Sequence, residues 1–297
     1  MHQVAQGIWV PIVTPFRRGE VDRAALARLA THLQAHGVAG LVAGATTGEG
    51  ALLTPAEQEG VFNTLREAVP KLPVVLGLSQ AATSAAVERA RALAALRPDG
   101  LLVTPPPYVR PGQDGVRRHI EAVAQAADLP ILVYNIPYRT GVNVELETLR
   151  ALARDPRVVG IKECGGSVER MLRLVHEAGL CVFSGDDGQN FAALCLGAHG
   201  TIAAAAHILP HWHVRMFDLL RAGELARARR IAVALQPMVA ELFAEPNPAP
   251  LKALLAHLGY CEPELRLPFV PASAELVARL RQGWDSLRSM DVQAQLA

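Results

Sequence analysis

The chain has 297 residues, of which 51% are hydrophobic and 19% charged, and its formal net charge at pH 7 is +1. This length allows one α/β barrel or two ordinary domains, and the composition excludes a disordered protein. The near-zero net charge argues against nucleic acid or an anionic membrane as a partner.

Short apolar segments recur along the chain, each followed by a segment with helical spacing of its apolar residues. Helix starts are marked by Thr54-Pro55, an N-cap followed by a proline at the first helical position, and by residues 82–84 and 142–145. Strands that alternate with helices predict parallel βαβ units. Eight such units predict a closed (β/α)8 TIM barrel. The predicted strands are residues 8–14, 40–44, 74–78, 100–104, 131–135, 158–162, 181–184 and 201–206.

The pattern changes after Leu209, where helical segments follow one another without strands. We predict three helices there, at residues 219–243, 249–258 and 273–287, separated by proline-rich connectors at 245–248 and 267–271. The predicted organisation is a barrel of residues 1–222 and a helical extension of residues 223–297 packed on it.

Cysteine usage and apolar segments bear on the compartment. Cys164, Cys181, Cys195 and Cys261 show no CxxC spacing, so we expect reduced thiols. The N-terminal residues lack the basic and apolar segments of a signal peptide, and no apolar stretch reaches the ~18 residues of a membrane helix. We predict a cytoplasmic protein.

Lys162 ends the apolar run that begins at Val158, a pattern typical of a strand buried on both faces. Desolvation disfavours a charged amine, and a neutral amine can condense with a ketone to form a Schiff base. The alternative is a lysine at a strand end with its head group in water.

Polar side chains follow several of the predicted strands, at the end of a barrel where the βα loops carry the chemistry. Hydroxyls, phenols, an arginine and the amine would thus face one mouth. The segments are residues 44–49, 104–108, 134–141, 162–163 and 184–187.

These segments carry motifs that occur in order from residue 7 to residue 271: TTGE, YNxPxRTG, GIKE, SGDD, EPNP and LRLP. With them the chain resembles the pyruvate-dependent lyase and synthase family that includes dihydrodipicolinate synthase and N-acetylneuraminate lyase. Any one motif alone is weak evidence, whereas six in order are specific. The resemblance implies an aldolase-type enzyme that needs no metal and no organic cofactor.

The resemblance also implies catalytic roles. Lys162 matches the lysine that forms the Schiff base with pyruvate, and Tyr134 matches the tyrosine that exchanges protons with that adduct. Thr46 and Tyr108 match the partners of this tyrosine in a hydroxyl relay. Because Tyr108 comes from the neighbouring subunit in the family, a homodimer or homotetramer is implied.

Other residues match the substrate pocket of the family. The Thr46-Thr47 turn should offer backbone N–H groups to the pyruvate carboxylate. Ile202 matches a position whose carbonyl lines the pocket, and Gly185 is assigned to the same pocket. Glu49 and Glu163 are expected to fix loops by hydrogen bonding.

Arg139 indicates which branch of the family the chain is most similar to. The arginine of the RTG motif in dihydrodipicolinate synthases holds the carboxylate of aspartate semialdehyde, for which a planar guanidinium is suited. The sialic-acid lyases lack it. The resemblance therefore implies condensation of pyruvate with L-aspartate 4-semialdehyde to 4-hydroxy-tetrahydrodipicolinate, in lysine and diaminopimelate biosynthesis. The alternative for Arg139 is a surface ion pair.

The chain departs from the family pattern at several positions. Ala45 replaces the usual glycine, so the local backbone must tolerate a β-carbon. Tyr138 stands where serine or glycine is usual and is expected to narrow the second-substrate pocket. Pro107 replaces a second tyrosine, and His207 replaces a common asparagine.

The site at which lysine inhibits some synthases also differs. Pro55, Ala81 and Ala85 replace its histidine, asparagine and glutamate, and Pro107 replaces its tyrosine. Because none of these side chains can pair with a cation, we expect weak or absent inhibition by lysine.

Plainer interpretations remain for several residues. Tyr134 could be a core tyrosine, and Thr46 and Thr47 ordinary turn residues. Asp186-Asp187 could bind a metal, but capping of the next helix is the better interpretation. The three histidines near Trp212 suggest metal ligands only superficially, because i, i+2 spacing does not share a helix face. They are His207, His211 and His213.

Two other functions remain open. One is a different pyruvate- or α-keto-acid-dependent aldolase, lyase or dehydratase of the same family, acting on sialic acid or a keto-deoxy sugar acid. The other is a non-catalytic homologue that binds a small molecule, against which the intact lysine, tyrosines and threonine argue.

Overall fold

Eight parallel strands close into a barrel in the computed structural model, which describes residues 6–290. Each strand pairs with its neighbours in sequence, and the first pairs with both the second and the eighth, which closes the cylinder. The strands are Gly7–Pro11, Gly40–Ala43, Val74–Leu78, Gly100–Val103, Ile131–Asn135, Val158–Glu163, Cys181–Ser184 and Gly200–Ile202. The predicted TIM barrel is confirmed.

Twelve α-helices lie in the described part of the chain, most of them around the barrel. They are α1 (Arg23–Ala35), α2 (Pro55–Ala68), α3 (Thr83–Ala95), α4 (Gln113–Ala127), α5 (Pro137–Thr140), α6 (Leu146–Leu152), α7 (Val168–Glu177), α8 (Asn190–Cys195), α9 (Pro210–Arg221), α10 (Leu225–Leu242), α11 (Ala249–His257) and α12 (Ala274–Ser289). The predicted cap at Thr54 is present, since its side chain accepts a hydrogen bond from the Glu57 N–H while Glu57 bonds back to it.

Two strands end well before their predicted last residues, whereas the other strand ends agree with the prediction to within one residue. The first strand ends at Pro11, and the eighth is only three residues long. After Ile202 the backbone N–H groups of Ala204 and Ala205 donate to the carboxylate of Asp187 instead of to a neighbouring strand. The side chain of Asp187, in the loop after the seventh strand, thus ends the eighth strand. The alanines at residues 203–206 give no local indication of this end.

Three features between the predicted elements also differ. A short hairpin, Phe16–Arg17 with Glu20–Val21, follows the first strand. The four-residue helix α5 follows the fifth strand, and α6 begins at Leu146, after the predicted start at 142–145.

Within the described chain four helices follow Leu209, where three are predicted. The predicted helix 219–243 is split, because α9 ends at Arg221 and Gly223 adopts the left-handed conformation (φ 79°) before α10 begins. Helix α10 packs on α9, and α12 packs on α10 and α11. A domain boundary at residue 222 stays a prediction, and residues 1–5 and 291–297 lie outside the described chain.

The buried side chains form two layers. One lies between the barrel and its helices, and the other fills the barrel interior, where Trp9, Leu102 and Phe183 form one cluster with Tyr134 and Ile202. The interior layer therefore packs against residues of the predicted site. No helix within residues 6–290 has the length and apolarity needed to cross a membrane.

Candidate active site

Lys162 lies near the C-terminal end of the sixth barrel strand and lines the cavity at the barrel mouth. Only 4% of the residue is exposed, so its amine does not lie in bulk water. Strand pairing sets Lys162 beside Tyr134 of the fifth strand, and Nζ lies 4.3 Å from the centroid of the phenol ring. No carboxylate within residues 6–290 forms an ion pair with this amine.

Tyr134 is buried, and its hydroxyl lies 3.4 Å from Oγ1 of Thr46. That distance is long for a hydrogen bond between hydroxyls. Burial raises the pKa of Tyr134 well above 10, the nearby thiol of Cys164 raises it further, and the contact with Thr46 opposes the rise. The phenol is therefore protonated at neutral pH.

The Thr46-Thr47 turn follows the second strand. Within the described chain, the backbone N–H groups of Thr46 and Thr47 make no hydrogen bond, so both are available to a ligand. Thr47 is 3% exposed, and its Oγ1 accepts a hydrogen bond of 2.9 Å from the side-chain amide of Asn247. Ala45 does not require the left-handed conformation, which Gly44 adopts instead (φ 63°).

Gly185, at the end of the seventh strand, leaves room for the lysine. A β-carbon at this position would lie 2.4 Å from Cε of Lys162 and 2.4 Å from Sγ of Cys164. Only glycine fits there without displacing Lys162.

A cavity of about 360 Å³ lies above these groups at the C-terminal ends of the strands. Every predicted site residue except Tyr108 lines it: Thr46, Thr47, Tyr134, Arg139, Lys162, Gly185 and Ile202. This volume suits a small substrate rather than a macromolecule.

Tyr108 lies outside the cavity of its own chain. It is 92% exposed and adopts a positive φ of 72°, while its N–H donates to the carbonyl of Thr140. An outward-facing tyrosine with an unfavourable backbone conformation is compatible with a role in a second subunit. The assignment to the hydroxyl relay stays a prediction.

Arg139 lies on α5 at the rim of the cavity. Its guanidinium carbon is 5.7 Å from the ring centroid of Tyr138, which also lines the cavity. The guanidinium takes part in no ion pair within residues 6–290, so no contact in the described chain supports the alternative of a surface ion pair. Its role in binding a carboxylate stays a prediction.

The two aspartates after Gly185 differ in environment. Asp186 caps the short 3-10 helix that follows, as predicted, by accepting from the N–H of Gly188. Asp187 does not cap it; its carboxylate accepts from the N–H groups of Ala204 and Ala205 and lines the cavity. Burial raises the pKa of Asp187 to about 6, although these hydrogen bonds and Lys162 oppose the rise.

Glu163 makes hydrogen bonds that fix the loop after the sixth strand. It accepts from the side-chain amide of Asn135, from the N–H of Gly165 and from the guanidinium of Arg170.

Glu49 makes hydrogen bonds of the same kind at the end of the TTGE turn. Its carboxylate accepts from Nζ of Lys252 and from the N–H of Arg266. Both glutamates hold loops by hydrogen bonding, as expected from the sequence.

The histidines near Trp212 have separate environments. Nε2 of His207 accepts from the N–H of Val13, and burial lowers the pKa of His207 to about 4. His213 is buried in α9, whereas the ring of His211 lies 5.3 Å from that of His36. Residues 6–290 contain no group of three or more His, Cys, Asp or Glu side chains suited to hold a metal ion.

Sequence reasoning gave no site role to Asp187 and Asn247, which line the cavity, or to Lys252, which contacts Glu49 at the end of the turn. Asp187 could have been found from the second acidic residue of SGDD, which follows a strand end. Asn247 and Lys252 lie at and just after EPNP, a motif used only to identify the family. Their contacts are with residues about 200 positions away, which no local pattern indicates.

Comparisons with known proteins agree with the geometry. The sequence profile of the dihydrodipicolinate synthetase family matches residues 4–283. The 4-hydroxy-tetrahydrodipicolinate synthase of Thermotoga neapolitana is 37% identical over 286 residues, which cover 93% of this chain and 96% of that protein.

Solved structures show the same fold. The 4-hydroxy-tetrahydrodipicolinate synthase of Methylacidiphilum fumariolicum is 34% identical, with a TM-score of 0.94 over 98% of this chain and 99% of that one. The dihydrodipicolinate synthase of Thermotoga maritima is 35% identical, with a TM-score of 0.94 over 96% of this chain and 99% of that one.

Proposed function

The chain belongs to the dihydrodipicolinate synthetase family, and from that premise we propose that it is a 4-hydroxy-tetrahydrodipicolinate synthase, an enzyme of the lyase class. In this reaction pyruvate condenses with L-aspartate 4-semialdehyde. The observation that carries the proposal is a buried amine, Lys162, 4.3 Å from the ring centroid of Tyr134 in a cavity of substrate size.

The first half of the reaction uses the amine. Nζ of Lys162, once neutral, attacks the ketone carbon of pyruvate to give a carbinolamine. Tyr134 is protonated at neutral pH and supplies a proton to the departing hydroxyl, so that water leaves and a protonated imine remains. Loss of a proton from the methyl group of the protonated imine then gives a neutral enamine. The protein amine acts as the electron sink, so the proposed reaction requires no metal or organic cofactor.

In the second half, the enamine carbon attacks the aldehyde carbon of the semialdehyde, and the aldehyde oxygen takes up a proton. The amino group of the substrate then attacks the imine carbon, closes the ring and releases Lys162. Arg139 holds the carboxylate of the semialdehyde through two parallel charge-assisted hydrogen bonds. The N–H groups of Thr46 and Thr47, free of protein partners, hold the pyruvate carboxylate.

The proton relay extends the proposal to oligomeric state. Tyr134, Thr46 and Tyr108 form the relay, with Tyr108 supplied by a partner subunit because it is exposed on its own chain. The functional unit is then a homodimer, or a homotetramer made of two dimers. Sedimentation analysis tests this directly: a monomer at assay concentration that is fully active would contradict it.

The wider setting of the proposal follows from composition. The partners are small-molecule substrates, not nucleic acid or membrane, because net charge is near zero. All four cysteines are free thiols, which favours the cytoplasm. Residues 1–222 then form the catalytic barrel and residues 223–297 a C-terminal extension.

The alternative is a lyase or dehydratase of the same family that acts on sialic acid or a keto-deoxy sugar acid. It is less well supported, because the relatives named above are synthases and a free guanidinium lines the rim of this cavity.

The decisive experiment is borohydride reduction in the presence of pyruvate, followed by mass analysis of peptides. We expect the reduced pyruvate adduct on Lys162 and none in Lys162→Arg, whose guanidinium is not a nucleophile. Absence of the adduct from the unaltered protein would remove the proposed reaction. Condensation rates with aspartate semialdehyde, measured beside cleavage rates of sialic acid and keto-deoxy sugar acids, then decide between the two substrates.

A further inference from the structure

A second lysine, Lys252, is buried more deeply than the one in the cavity. It lies on α11, and neither its side chain nor that of Glu49 has any exposed surface. Nζ donates to Oε1 of Glu49 at 2.5 Å and to the carbonyl oxygen of Glu264 at 2.8 Å. The other carboxylate oxygen accepts from the N–H of Arg266 at 3.0 Å. Lys252 and Arg266, both in the C-terminal extension, therefore hold the carboxylate of Glu49, which belongs to the barrel.

Burying the charges of Lys252 and Glu49 costs desolvation free energy, which a pair of apolar side chains would not. Desolvation lowers the pKa of Lys252, and the carboxylate of Glu49 opposes this. Replacing a buried ion pair by apolar side chains of similar volume is often neutral or stabilising, so stability alone does not account for it. Nζ also lies 4.2 Å from the ring centroid of Phe16, which leaves the ammonium little freedom to move. What the pair does supply is a fixed position for Glu49.

Glu49 ends the turn that carries the relay threonine. Its backbone has a positive φ of 54°, unusual for a residue with a side chain, and its N–H donates to the carbonyl of Thr46 at 3.1 Å. Oγ1 of the same Thr46 faces the hydroxyl of Tyr134 at 3.4 Å. A continuous set of contacts thus leads from Lys252 through Glu49 and Thr46 to Tyr134.

A second contact from the same part of the chain holds the next residue of the turn. The side-chain amide of Asn247, two residues before α11, donates to Oγ1 of Thr47 at 2.9 Å. The C-terminal extension therefore holds both threonines of the turn, one through Glu49 and one directly.

We propose that Lys252 is a positioning residue for the reaction, which acts through Glu49 to set the distance between the hydroxyls of Thr46 and Tyr134. This inference rests on the proposed function of the site. It makes the C-terminal extension part of the catalytic apparatus, although Lys252 touches neither substrate nor Lys162.

The test is a double-mutant cycle with Lys252→Met and Thr46→Val. A misplacement of about 1 Å can cost on the order of 10²-fold in rate, so we expect kcat of Lys252→Met to fall by that order. The pyruvate adduct should still form on Lys162, because the amine itself is not displaced. Since Lys252 acts through Thr46, the double variant should be no slower than Thr46→Val alone.

Leu255→Ala is the matched control for loss of stability. Leu255 is fully buried one turn after Lys252 on the same helix and belongs to the main core. This variant should unfold at lower denaturant concentration and yet keep its kcat, with effects that add to those of Thr46→Val. Equal loss of kcat in Leu255→Ala and Lys252→Met would overturn the proposal, as would additive effects of Lys252→Met and Thr46→Val.

Lys252→Met leaves a buried carboxylate unpaired and could prevent folding. In that case Lys252→Met combined with Glu49→Gln removes both charges and should restore folding while kcat stays low. A folded double variant with unchanged kcat would overturn the proposal. The pyruvate adduct distinguishes failure of the proposed function from failure of the proposed role of Lys252. Absence of the adduct from the unaltered protein overturns both proposals. A normal adduct with unchanged kcat in the variants overturns only the role of Lys252.

Discussion

Tyr134 and Lys162 are direct partners in the register of the fifth and sixth barrel strands, and the amine lies 4.3 Å from the centroid of the phenol ring. The pairing of two strands, rather than a mobile loop, sets this distance. Because strand positions are rigid on the timescale of a reaction, the nucleophile and the proton donor are pre-organised before substrate arrives.

The phenolic hydroxyl of Tyr134 is the first group to test. In Tyr134→Phe we expect kcat/KM to fall by about 10²–10⁴-fold, the usual contribution of one positioned acid–base group, with slower formation of the borohydride-trapped adduct. Tyr260→Phe is the control, because its hydroxyl contacts His32 on α1, outside the cavity. Unchanged kinetics in Tyr134→Phe would show that another group moves the proton.

Gly185→Ala tests the space beside the amine. The new β-carbon would overlap Lys162 and Cys164, so we expect the amine to shift and the rate of adduct formation to fall on the order of 10²-fold. Gly188→Ala is the control, because it is the same substitution three residues later. Its β-carbon would meet only a carboxylate oxygen of Asp186, at 3.6 Å. It should retain activity. Equal rates for the two variants would contradict the steric argument.

Arg139→Gln should separate the two substrates. Loss of a charge-assisted pair of hydrogen bonds predicts a KM for aspartate semialdehyde that rises roughly 10- to 100-fold, while the rate of pyruvate adduct formation is unchanged. Arg118→Gln removes an exposed guanidinium that pairs with Asp114 on α4 and should change neither. A selective rise of the pyruvate KM in Arg139→Gln would reverse the assignment of the two carboxylates.

Lysine should not regulate this protein. Pro55, Ala81, Ala85 and Pro107 offer no side-chain carboxylate, amide or hydroxyl to an ammonium group. We expect steady-state rates to stay constant as lysine is raised through the micromolar range. Inhibition at micromolar lysine would show that a cation site exists elsewhere in the protein.

Buried histidines predict a loss of stability in mild acid. Burial lowers the pKa of His213 to about 4, below the 6.5 of an unfolded chain, so the unfolded state binds the extra proton as pH falls from 6.5 to 4. Its contribution to stability is complete above pH 6.5 and decreases by up to about 3 kcal/mol by pH 4. Urea unfolding of the unaltered protein and of His213→Met at several pH values measures it.

The unaltered protein has to be compared with His213→Met because other groups titrate in the same pH range. His207 has a similarly low pKa of about 4, whereas burial raises the pKa of Asp187 to about 6, which favours the folded state as pH falls. Both are present in the variant, so the difference between the two curves reports His213. A difference that does not change between pH 7 and pH 4.5 would contradict the assignment.

The barrel could be predicted from sequence because its strands are buried on both faces and appear as short apolar runs. The end of the eighth strand could not, since the carboxylate of Asp187, from another loop, takes its N–H groups. Likewise the split between α9 and α10 depends on the left-handed conformation of Gly223, inside a run that otherwise has helical spacing.

The site divides in the same way. Lys162, Tyr134 and the Thr46-Thr47 turn could be predicted because they end strands within recognisable motifs. Lys252 could not, because a lysine on a helix is normally exposed, and its partner lies 203 positions earlier. A burial that arises only from tertiary contacts leaves no periodic signal.

The contacts of Asn247 and Lys252 with the turn at residues 46–49 also bear on synthesis by the ribosome. A nascent chain that has emerged only as far as the eighth strand contains the nucleophile and the phenol but not the side chains that brace the threonines. A chain that ended between the eighth strand and residue 252 would therefore carry the reactive amine without these contacts. If Lys252 acts as proposed, full competence for turnover is acquired only when translation has passed the second proline of EPNP and entered α11.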